Sequence, residues 1–377
     1  MLEKLFYIYE KFFFYIFNKL DTFSRKALSY EYHYNLFKKE HFTKNILTKE
    51  QKLEIDKFYI KNYGKKIPYI WHNFHTKCSG KFDVNYIPCN IFIDYLYSLN
   101  LKNKNRHILQ DKNLLYNIAK SANINTPKRF FYSINKLFFN SNDDIISNKD
   151  FNKQISNLGE VFIKPTQIGH TGAARNCRLI KIKDGIDIYS NTSIKEIIEK
   201  NYLYDFVIQE KIICHKSISN LYPKSVNTIA VNTLILNNEI KILKPGIKIG
   251  MAGNIVDFGG TTKKGLLIPI KEDGTLYDYA FCLNEGKKYF SHPDTGVIFK
   301  GYKIDLFPEI INIAKKLQAS IPWMPFCGWD FVIDEKGKIL VIEMEPPSSD
   351  IVQTVFGEGF FGEYTEQILS SLKHKKT

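Results

Sequence analysis

The stretch "WDFVIDEKGKILVIEME", residues 329–345, decides the fold. Two apolar, β-branched runs flank a polar turn at residues 334–338, a pattern that predicts a β-hairpin. Glu343 and Glu345 share one face because side chains alternate along a strand, and Asp330 lies almost opposite Glu343. Three carboxylates therefore converge on one patch of a chain whose net charge is +14.

These three acids repel one another unless a cation lies among them. Hard oxygen ligands on a rigid sheet suit Mg²⁺, especially Mg²⁺ that carries a nucleotide. Acidic residues near a β-turn are also commonly just solvated. The hairpin alone therefore leaves both interpretations open, and other parts of the chain must decide between them.

A second stretch, "VFIKPTQIGHTGAAR", has the composition of a phosphate-binding loop. Lys164 ends a predicted strand, and the loop after it contains Gly169, Thr171 and Gly172. Glycine lets backbone N–H groups approach phosphate oxygens, and a neighbouring lysine supplies positive charge. The residue order is not that of a P-loop. Arg175, just beyond the loop, is placed to clamp an anionic group.

A third stretch, "FVIQEKI", ends a predicted strand with the polar pair Gln209 and Glu210, followed by the apolar Ile212. Backbone groups between apolar walls suit the edge of an adenine ring. The three stretches together predict a site for a nucleotide and its metal ion.

The rest of the chain reads as a mixture of helices and hairpins. Two β-rich runs meet at Asn237 and Asn238, residues that tight hairpin turns prefer, while residues 140–150 predict a surface loop. The pattern predicts an α+β (mixed α/β) fold with largely antiparallel sheets. We expect a mostly helical region over residues 1–105, a small lobe over 106–205 and a C-terminal lobe over 206–377.

Composition limits the functional classes. Only five of the 53 basic residues are arginines, and no nucleic-acid-binding signature appears, so we expect no nucleic-acid partner. Six cysteines without a CxxC pair fit a reducing compartment, and we expect a cytoplasmic protein. One His/Cys cluster has spacing that could hold a metal, namely His72, His75, Cys78 and Cys89. The aromatic residues that lie between these positions in the sequence indicate packed core.

The first 20 residues predict an amphipathic helix, because charged and polar residues interrupt the apolar sequence about every seven residues. No apolar run approaches the roughly 20 residues that a membrane span needs. One interpretation is peripheral docking on the inner membrane face or on a partner helix. The other is a helix packed on the rest of the chain.

Order and spacing together resemble the ATP-grasp superfamily. The resemblance begins with Asp111-Lys112 and Lys164, continues through the glycine loop, and ends with an Asp followed 13 residues later by Glu-x-Glu. Further motifs are similar to its sugar-transfer-associated branch, namely "SVNT" at 225–228, "VDFGG" at 256–260, "HPDTG" at 292–296 and "GWD" at 328–330. Together these matches cover most of residues 70–360.

The resemblance implies an ATP-grasp fold of two lobes that grip ATP, with a role for each motif. Lys112 and Lys164 would contact the phosphates, and residues 169–172 would form the flap over them. The adenine would lie near Glu210. One or two Mg²⁺ ions, or Mn²⁺, would be held by Asp330, Glu343 and Glu345.

Three departures from the pattern affect this assignment. Glu345 stands where Asn is usual and still offers an oxygen ligand. Residues 211–225 lack the acid that often binds ribose. Ala230 stands where relatives often carry Arg, so Lys248 or Arg175 would have to hold an anionic substrate or phosphoryl group.

The implied activity is ATP-dependent ligation of a carboxylate, such as a sugar acid, to an amine or amino acid through an acyl phosphate, in capsule or O-antigen polysaccharide assembly. Two alternatives stay open: a sugar kinase, and a non-catalytic nucleotide-binding subunit of a glycan assembly complex. Ser225, Asn227 and His292 are candidates for substrate contact, and a structural hydrogen-bonding role is equally compatible with each.

Overall fold

The structure is a computed structural model that describes residues 45–100, 111–166, 177–202, 205–254, 256–257, 265–348 and 350–373. The amphipathic helix predicted for the first 20 residues lies outside the described residues. The chain divides into two compact units: the first takes its described residues from 1–98, 284–286 and 349–377, and the second from 99–283 and 287–348. The domain boundaries near 105 and 205 stay predictions.

Helices occur in both units. In chain order they are α1 (Lys49–Tyr63), α2 (Ile70–Ser79), α3 (Cys89–Asn100), α4 (Lys112–Ser121), α5 (Asn148–Ile155), α6 (Ile194–Asn201), α7 (Lys216–Ser219), α8 (Phe307–Ser320), α9 (Val352–Phe356) and α10 (Thr365–Lys373). Short 3₁₀ turns lie at Leu283–Glu285 and Gly362–Tyr364. Within the described ranges, no helix has both the length and the apolar composition needed to cross a membrane.

The first unit is built from helices. Helix α1 begins at a capping box in which Thr48 and Gln51 each accept a hydrogen bond from the other's backbone N–H, and it ends at Gly64 with φ of 84°. Helix α1 packs on α10, and α2 packs on α9. Aromatic side chains fill the space between them, including Tyr59, Trp71, Phe74, Tyr86 and Phe360, all buried.

His72 and His75 belong to this aromatic core. His72 donates from Nε2 to the carbonyl of Val84 at 3.1 Å, and His75 shares a hydrogen bond of 2.8 Å with Thr354. Burial lowers the pKa of His72 from 6.5 to about 4. The packed-core interpretation of this segment therefore accounts for both rings.

We expect the buried His72 to make stability depend on pH. Between pH 6.5 and about 4 the unfolded chain binds a proton that the folded chain rejects, so stability falls as the pH falls through that window. The full loss is about 3 kcal/mol. Urea unfolding at pH 7 and pH 4 measures it, with His72→Gln as the variant that should lack this contribution. Equal pH dependence in both proteins would show that His72 is not the cause.

The second unit contains two sheets in which every strand pair is antiparallel. The strands of the first sheet are β1 (Arg129–Ile134), β2 (Leu137–Phe139), β3 (Ile145–Ile146), β4 (Gly159–Pro165), β5 (Arg178–Lys183), β6 (Ile186–Asp187), β7 (Thr192–Ser193) and β8 (Phe206–Glu210). Their order across the sheet is β3-β2-β1-β8-β4-β5-β6-β7.

The strands of the second sheet are β9 (Thr228–Leu236), β10 (Glu239–Gly250), β11 (Gly265–Pro269), β12 (Ala280–Cys282), β13 (Lys287–Tyr289), β14 (Phe326–Ile333) and β15 (Ile339–Glu345). They lie in the order β13-β12-β11-β10-β9-β14-β15. Helix α8 packs on β9, β10 and β14, and α4 packs on β15. The predicted mixed α/β fold with antiparallel sheets is confirmed.

Two hairpins follow the sequence pattern closely. The β9–β10 turn is made by Asn237 and Asn238, whose φ values of 54° and 61° lie in the left-handed region that asparagine tolerates. The β14–β15 hairpin turns through residues 334–338, where Asp334 Oδ1 accepts hydrogen bonds from the backbone N–H groups of Lys336 and Lys338. Local turn chemistry is therefore sufficient to position both hairpins.

The loop prediction for residues 140–150 is wrong in its second half. Ile145 and Ile146 pair with β2 as the edge strand β3, and α5 starts at Asn148 with Ser147 as its cap. The stretch is largely exposed, as a surface loop would be. A strand of two residues is too short to show the alternation of apolar and polar residues that marks a strand in a sequence. As an edge strand, β3 also pairs on one side only.

Trp329 is a core residue of β14. Its side chain is 0% exposed, and its indole Nε1 donates to Thr233 Oγ1 at 2.8 Å. We expect Trp329→Ala to lower the free energy of unfolding by about 3–5 kcal/mol, because it leaves a large cavity and removes the buried hydrogen bond to Thr233. Denaturant titration measures the loss. Trp323→Ala, at a side chain 39% exposed, is the matched control and should change stability far less.

Candidate functional site

One cavity of about 340 Å³ in the second unit collects most of the predicted site residues. Its charged wall consists of Lys112, Lys164, Lys248, Glu210, Asp257, Asp330, Glu343 and Glu345. Its apolar wall includes Phe162, Ile212, Val226, Val256 and Ile342. Both sheets and the start of α4 contribute to this lining. The cavity therefore joins an apolar surface to a dense group of lysines and carboxylates.

The acidic part of the cavity is the β14–β15 hairpin. Asp330 pairs directly with Glu343, and Gly328 pairs with Glu345. The register shifts by one residue just after Asp330, so a β-bulge lies beside the acids. Because Glu343 and Glu345 are two positions apart, they share the face on which Asp330 lies. The three carboxylates come together as the sequence predicted.

Lys112 is the first residue of α4. Asp111 caps this helix by accepting hydrogen bonds from the backbone N–H groups of Asn113 and Leu114 at 2.8 and 3.1 Å. The Lys112 side chain is 7% exposed, and its Nζ lies 3.2 Å from Glu343 Oε1. The cap thus fixes the start of the helix and, with it, the ammonium group that meets the hairpin.

Lys164 reaches the cavity from β4. Burial lowers its pKa, and the nearby ammonium of Lys112 lowers it further; Cys177, Glu343 and Asp257 oppose this shift. The nearby acidic groups therefore only partly offset the cost of burying the Lys164 charge. An anion bound beside Lys164 would supply the missing compensation.

Lys248 lies at the centre of the acids. Its Nζ is 2.9 and 2.8 Å from the two carboxylate oxygens of Asp330 and 3.5 Å from Glu345 Oε1. Burial acts to lower the pKa of Lys248, but Asp330, Glu345 and Asp257 outweigh it and hold that pKa well above its usual range. Lys248 is therefore a permanent cation within the cavity.

The pKa values of Glu345 and Glu343 shift in opposite directions. Burial raises the pKa of Glu345 to about 7, against the opposing effect of Lys248 and with further support from Asp330 and Glu343. Burial also works to raise the pKa of Glu343, but the ammonium groups of Lys112, Lys164 and Lys248 outweigh it, so the net shift is downward. Glu343 is the carboxylate with the strongest cationic surroundings.

Gln209 and Glu210 end strand β8 at the cavity wall. The Glu210 carboxylate accepts a hydrogen bond from the backbone N–H of Lys128 at 2.7 Å, and the Glu210 backbone N–H donates to the Lys128 carbonyl at 2.9 Å. Gln209 is buried, and Ile212 lies beyond it on the apolar wall. A polar edge next to an apolar wall is the arrangement predicted for an adenine ring.

Ser225, Asn227 and His292 do not line the cavity. Ser225 donates to Asn227 Oδ1 at 2.7 Å, Asn227 Nδ2 donates to the carbonyls of Ile218 and Tyr222, and His292 Nε2 donates to the Gly250 carbonyl at 2.8 Å. These bonds occupy the polar atoms that substrate would need. The structure thus favours the structural alternative for all three residues over substrate contact.

Sequence reasoning missed Asp257 and Thr228 as members of the site. Both line the cavity, and Thr228 Oγ1 donates a hydrogen bond to Asp257 Oδ2. Each lies inside a motif that the sequence analysis quoted, "SVNT" and "VDFGG", so the motifs were the available signal. Gly169, Thr171, Gly172 and Arg175 lie outside the described residues.

A family model supports the identification that these motifs suggested. The model of the sugar-transfer associated ATP-grasp family matches residues 92–368. The chain belongs to this family. The match covers the cavity and both sheets, and the predicted ATP-grasp fold is confirmed. A search of curated proteins gives no match to the chain.

Solved structures of low sequence identity are similar to this ATP-grasp protein. D-alanyl-alanine synthetase A from Vibrio cholerae is 12% identical, with a TM-score of 0.42 over 72% of this chain and 66% of that one. VanG D-Ala:D-Ser ligase from Enterococcus faecalis is 14% identical, with a TM-score of 0.40 over 71% and 62%. An L-amino acid ligase from Bacillus licheniformis is 14% identical, with a TM-score of 0.38 over 70% and 49%. The chain spans less than two thirds of each of these proteins.

The donor set of the ATP-grasp protein fits a divalent cation. Asp330, Glu343 and Glu345 bring six hard carboxylate oxygens to the lining of the cavity, the donor type that Mg²⁺ prefers. Over the described ranges, no three His, Cys, Asp or Glu residues form a ready-made metal cluster. The ammonium groups of Lys112 and Lys248 lie against these acids as ion-pair partners. The metal-binding role of each acid stays a prediction.

Proposed function

We propose that this ATP-grasp protein is an ATP-dependent carboxylate–amine ligase. The observation that carries the proposal is the charge pattern of the cavity: lysines from two separate elements, α4 and β4, face three acids of one hairpin. A polyphosphate with its metal ion needs both kinds of group at once, because the lysines attract phosphate oxygens and the acids attract the metal.

In this proposal Lys112 and Lys164 hold the phosphates of ATP. The electrostatic argument for phosphate binding is stronger for Lys164 than for Lys112. Burial and a neighbouring ammonium lower the pKa of Lys164, and a phosphate would relieve both effects. Lys112 is bonded to Glu343 and is positioned by the cap of α4. The two ammonium groups would keep the γ-phosphate aligned with an attacking carboxylate.

Asp330, Glu343 and Glu345 would hold the Mg²⁺ ion. When bound, Mg²⁺ supplies charge neutralisation for the β- and γ-phosphates. The protein's own contribution is a rigid pair of strands that fixes the three carboxylates relative to Lys112 and Lys164. Ile212 and Ile342 contribute apolar surface to the same cavity and would shield a bound adenine from water.

The proposed reaction has two steps. An oxygen of the acid substrate attacks the γ-phosphorus of ATP, the bond to the bridging oxygen breaks, and acyl phosphate and ADP form. The amine nitrogen then attacks the acyl carbon, phosphate leaves with the bonding electron pair, and the amine loses a proton to give an amide. Positioning and electrostatic stabilisation carry such a reaction, so no nucleophilic side chain of the protein is required.

The proposed substrates are a sugar acid and an amine or amino acid, and the proposed process is the assembly of bacterial surface polysaccharides. This part of the proposal is supported by the family's association with sugar transfer. We place the reaction in the cytoplasm, where ATP is available and where the six cysteines would stay reduced thiols.

Product analysis tests the proposal. The protein is incubated with ATP, Mg²⁺ and a panel of uronic acids and amines, and products are identified by mass spectrometry. A ligase yields ADP, free phosphate and an amide, and needs both the acid and the amine. ADP with a phosphorylated sugar and no free phosphate would replace the ligase with a sugar kinase. Nucleotide binding without turnover across the panel would favour a non-catalytic subunit.

A further inference from the structure

We propose that Lys248 is an internal cation that holds Asp330 and Glu345 together until a metal ion displaces it. The inference rests on the proposed function only in taking these two acids as metal ligands. It assigns to Lys248 a positioning role in metal binding, distinct from the phosphate-binding role proposed for Lys112 and Lys164.

The hydrogen bonds place Lys248 between two of the acids that we propose as metal ligands. Its Nζ lies 2.9 and 2.8 Å from the two oxygens of Asp330, so both oxygens of that carboxylate are engaged. The same Nζ lies 3.5 Å from Glu345 Oε1. One ammonium group therefore bridges two of the three acids, as a metal ion would.

Sheet order explains how Lys248 reaches the acids. Strand β9 lies between β10, which carries Lys248, and β14, which carries Asp330. The side chain therefore has to cross β9, where Lys248 is paired with Thr228 and Asp330 is paired with Ala230. Ala230 presents only a methyl group, which leaves room for the long stem of Lys248.

Electrostatic repulsion means that a metal ion would replace the Lys248 ammonium beside Asp330. The two cations would not bind there together. A divalent ion on Asp330 would lie within a few ångströms of the Lys248 ammonium, and two cations at that separation in a partly buried site repel strongly. The Lys248 side chain is 20% exposed, so water screens this repulsion only in part. Metal binding thus requires the ammonium to move away from Asp330.

The exchange couples the metal to the nucleotide. Without nucleotide, a metal ion would have to displace Lys248 and would gain only carboxylate and water ligands. With nucleotide, phosphate oxygens would add ligands to the metal and would also offer the displaced ammonium a new anion. Metal and nucleotide therefore each strengthen the binding of the other.

A titration with Mn²⁺ alone tests the proposal. Binding to the full chain is followed by the loss of the free-Mn²⁺ paramagnetic resonance signal, with no nucleotide present. We expect Lys248→Met to bind Mn²⁺ about tenfold more tightly than wild type, within the usual range of coupling between ligands. Lys248→Arg keeps the cation and should stay near the wild-type affinity. Lys241→Met, on the same strand and paired with Glu239, is the control and should change nothing.

A second measurement uses the unaltered protein, in case Lys248→Met does not fold. Lysine acetylation at limiting reagent, read by mass spectrometry, should increase severalfold at Lys248 when Mn²⁺ is added and should not change at Lys241. Equal or weaker Mn²⁺ binding by a folded Lys248→Met, or unchanged labelling of Lys248, overturns the proposal. Neither measurement involves ATP or turnover, so a failed ligase assay leaves these outcomes unaffected.

Discussion

Replacing Lys164 with Ala is expected to lower kcat/KM for ATP by about a thousandfold, the loss typical when a preorganised charge-stabilising group is removed from an active site. The physical reason is that the surrounding protein groups only partly stabilise the positive charge of Lys164. Burial and Lys112 both lower its pKa, so its charge is costly by itself and would be best stabilised by a bound phosphate. Steady-state release of ADP, measured over a range of ATP concentrations, gives the value.

The same reasoning predicts that Lys164→Ala leaves the protein as stable as wild type or slightly more stable. Removing a poorly compensated, half-buried charge relieves its desolvation, so activity and stability should move in opposite directions. Lys183→Ala, at an exposed lysine of the neighbouring strand β5, is the matched control. Full activity in folded Lys164→Ala would remove Lys164 from the phosphate site.

Much of the fold is predictable because its signals are local. The β9–β10 turn is set by two asparagines at positive φ, and the β14–β15 hairpin by alternating apolar residues around an aspartate-capped turn. The meeting of Asp330 and Glu343 follows from that hairpin alone, since pairing across a short turn fixes which residues face each other.

Contacts between distant segments were harder to predict. The position of Lys248 beside Asp330 depends on β10 and β14 being on opposite sides of β9, and sheet order is set by tertiary packing. Asp257 joins the site for the same kind of reason. The edge strand β3 has only two residues and therefore almost no periodicity, and the sequence does not show that the ring of His292 is bonded to the Gly250 carbonyl.

Glu343→Gln is expected to lower kcat by about a hundredfold, the upper end of the losses seen when a metal site is perturbed. Glu343 is the acid whose pKa the lysines hold below its usual range against burial, so it stays charged and available to a metal ion. The amide has a similar shape but lacks the charge. The Mn²⁺ concentration needed for half-saturation should rise, whereas it should fall for Lys248→Met.

Stability gives this variant a second readout. Lys112 is buried and bonded to Glu343, so loss of the carboxylate leaves an ammonium without its charged partner and should cost about 2 kcal/mol. Glu335→Gln, in the exposed turn of the same hairpin, should change neither activity nor stability. If Glu343→Gln lost stability but kept its Mn²⁺ dependence, Glu343 would be only the ion-pair partner of Lys112. The metal would then have to be held by Asp330 and Glu345, the two acids that Lys248 bridges.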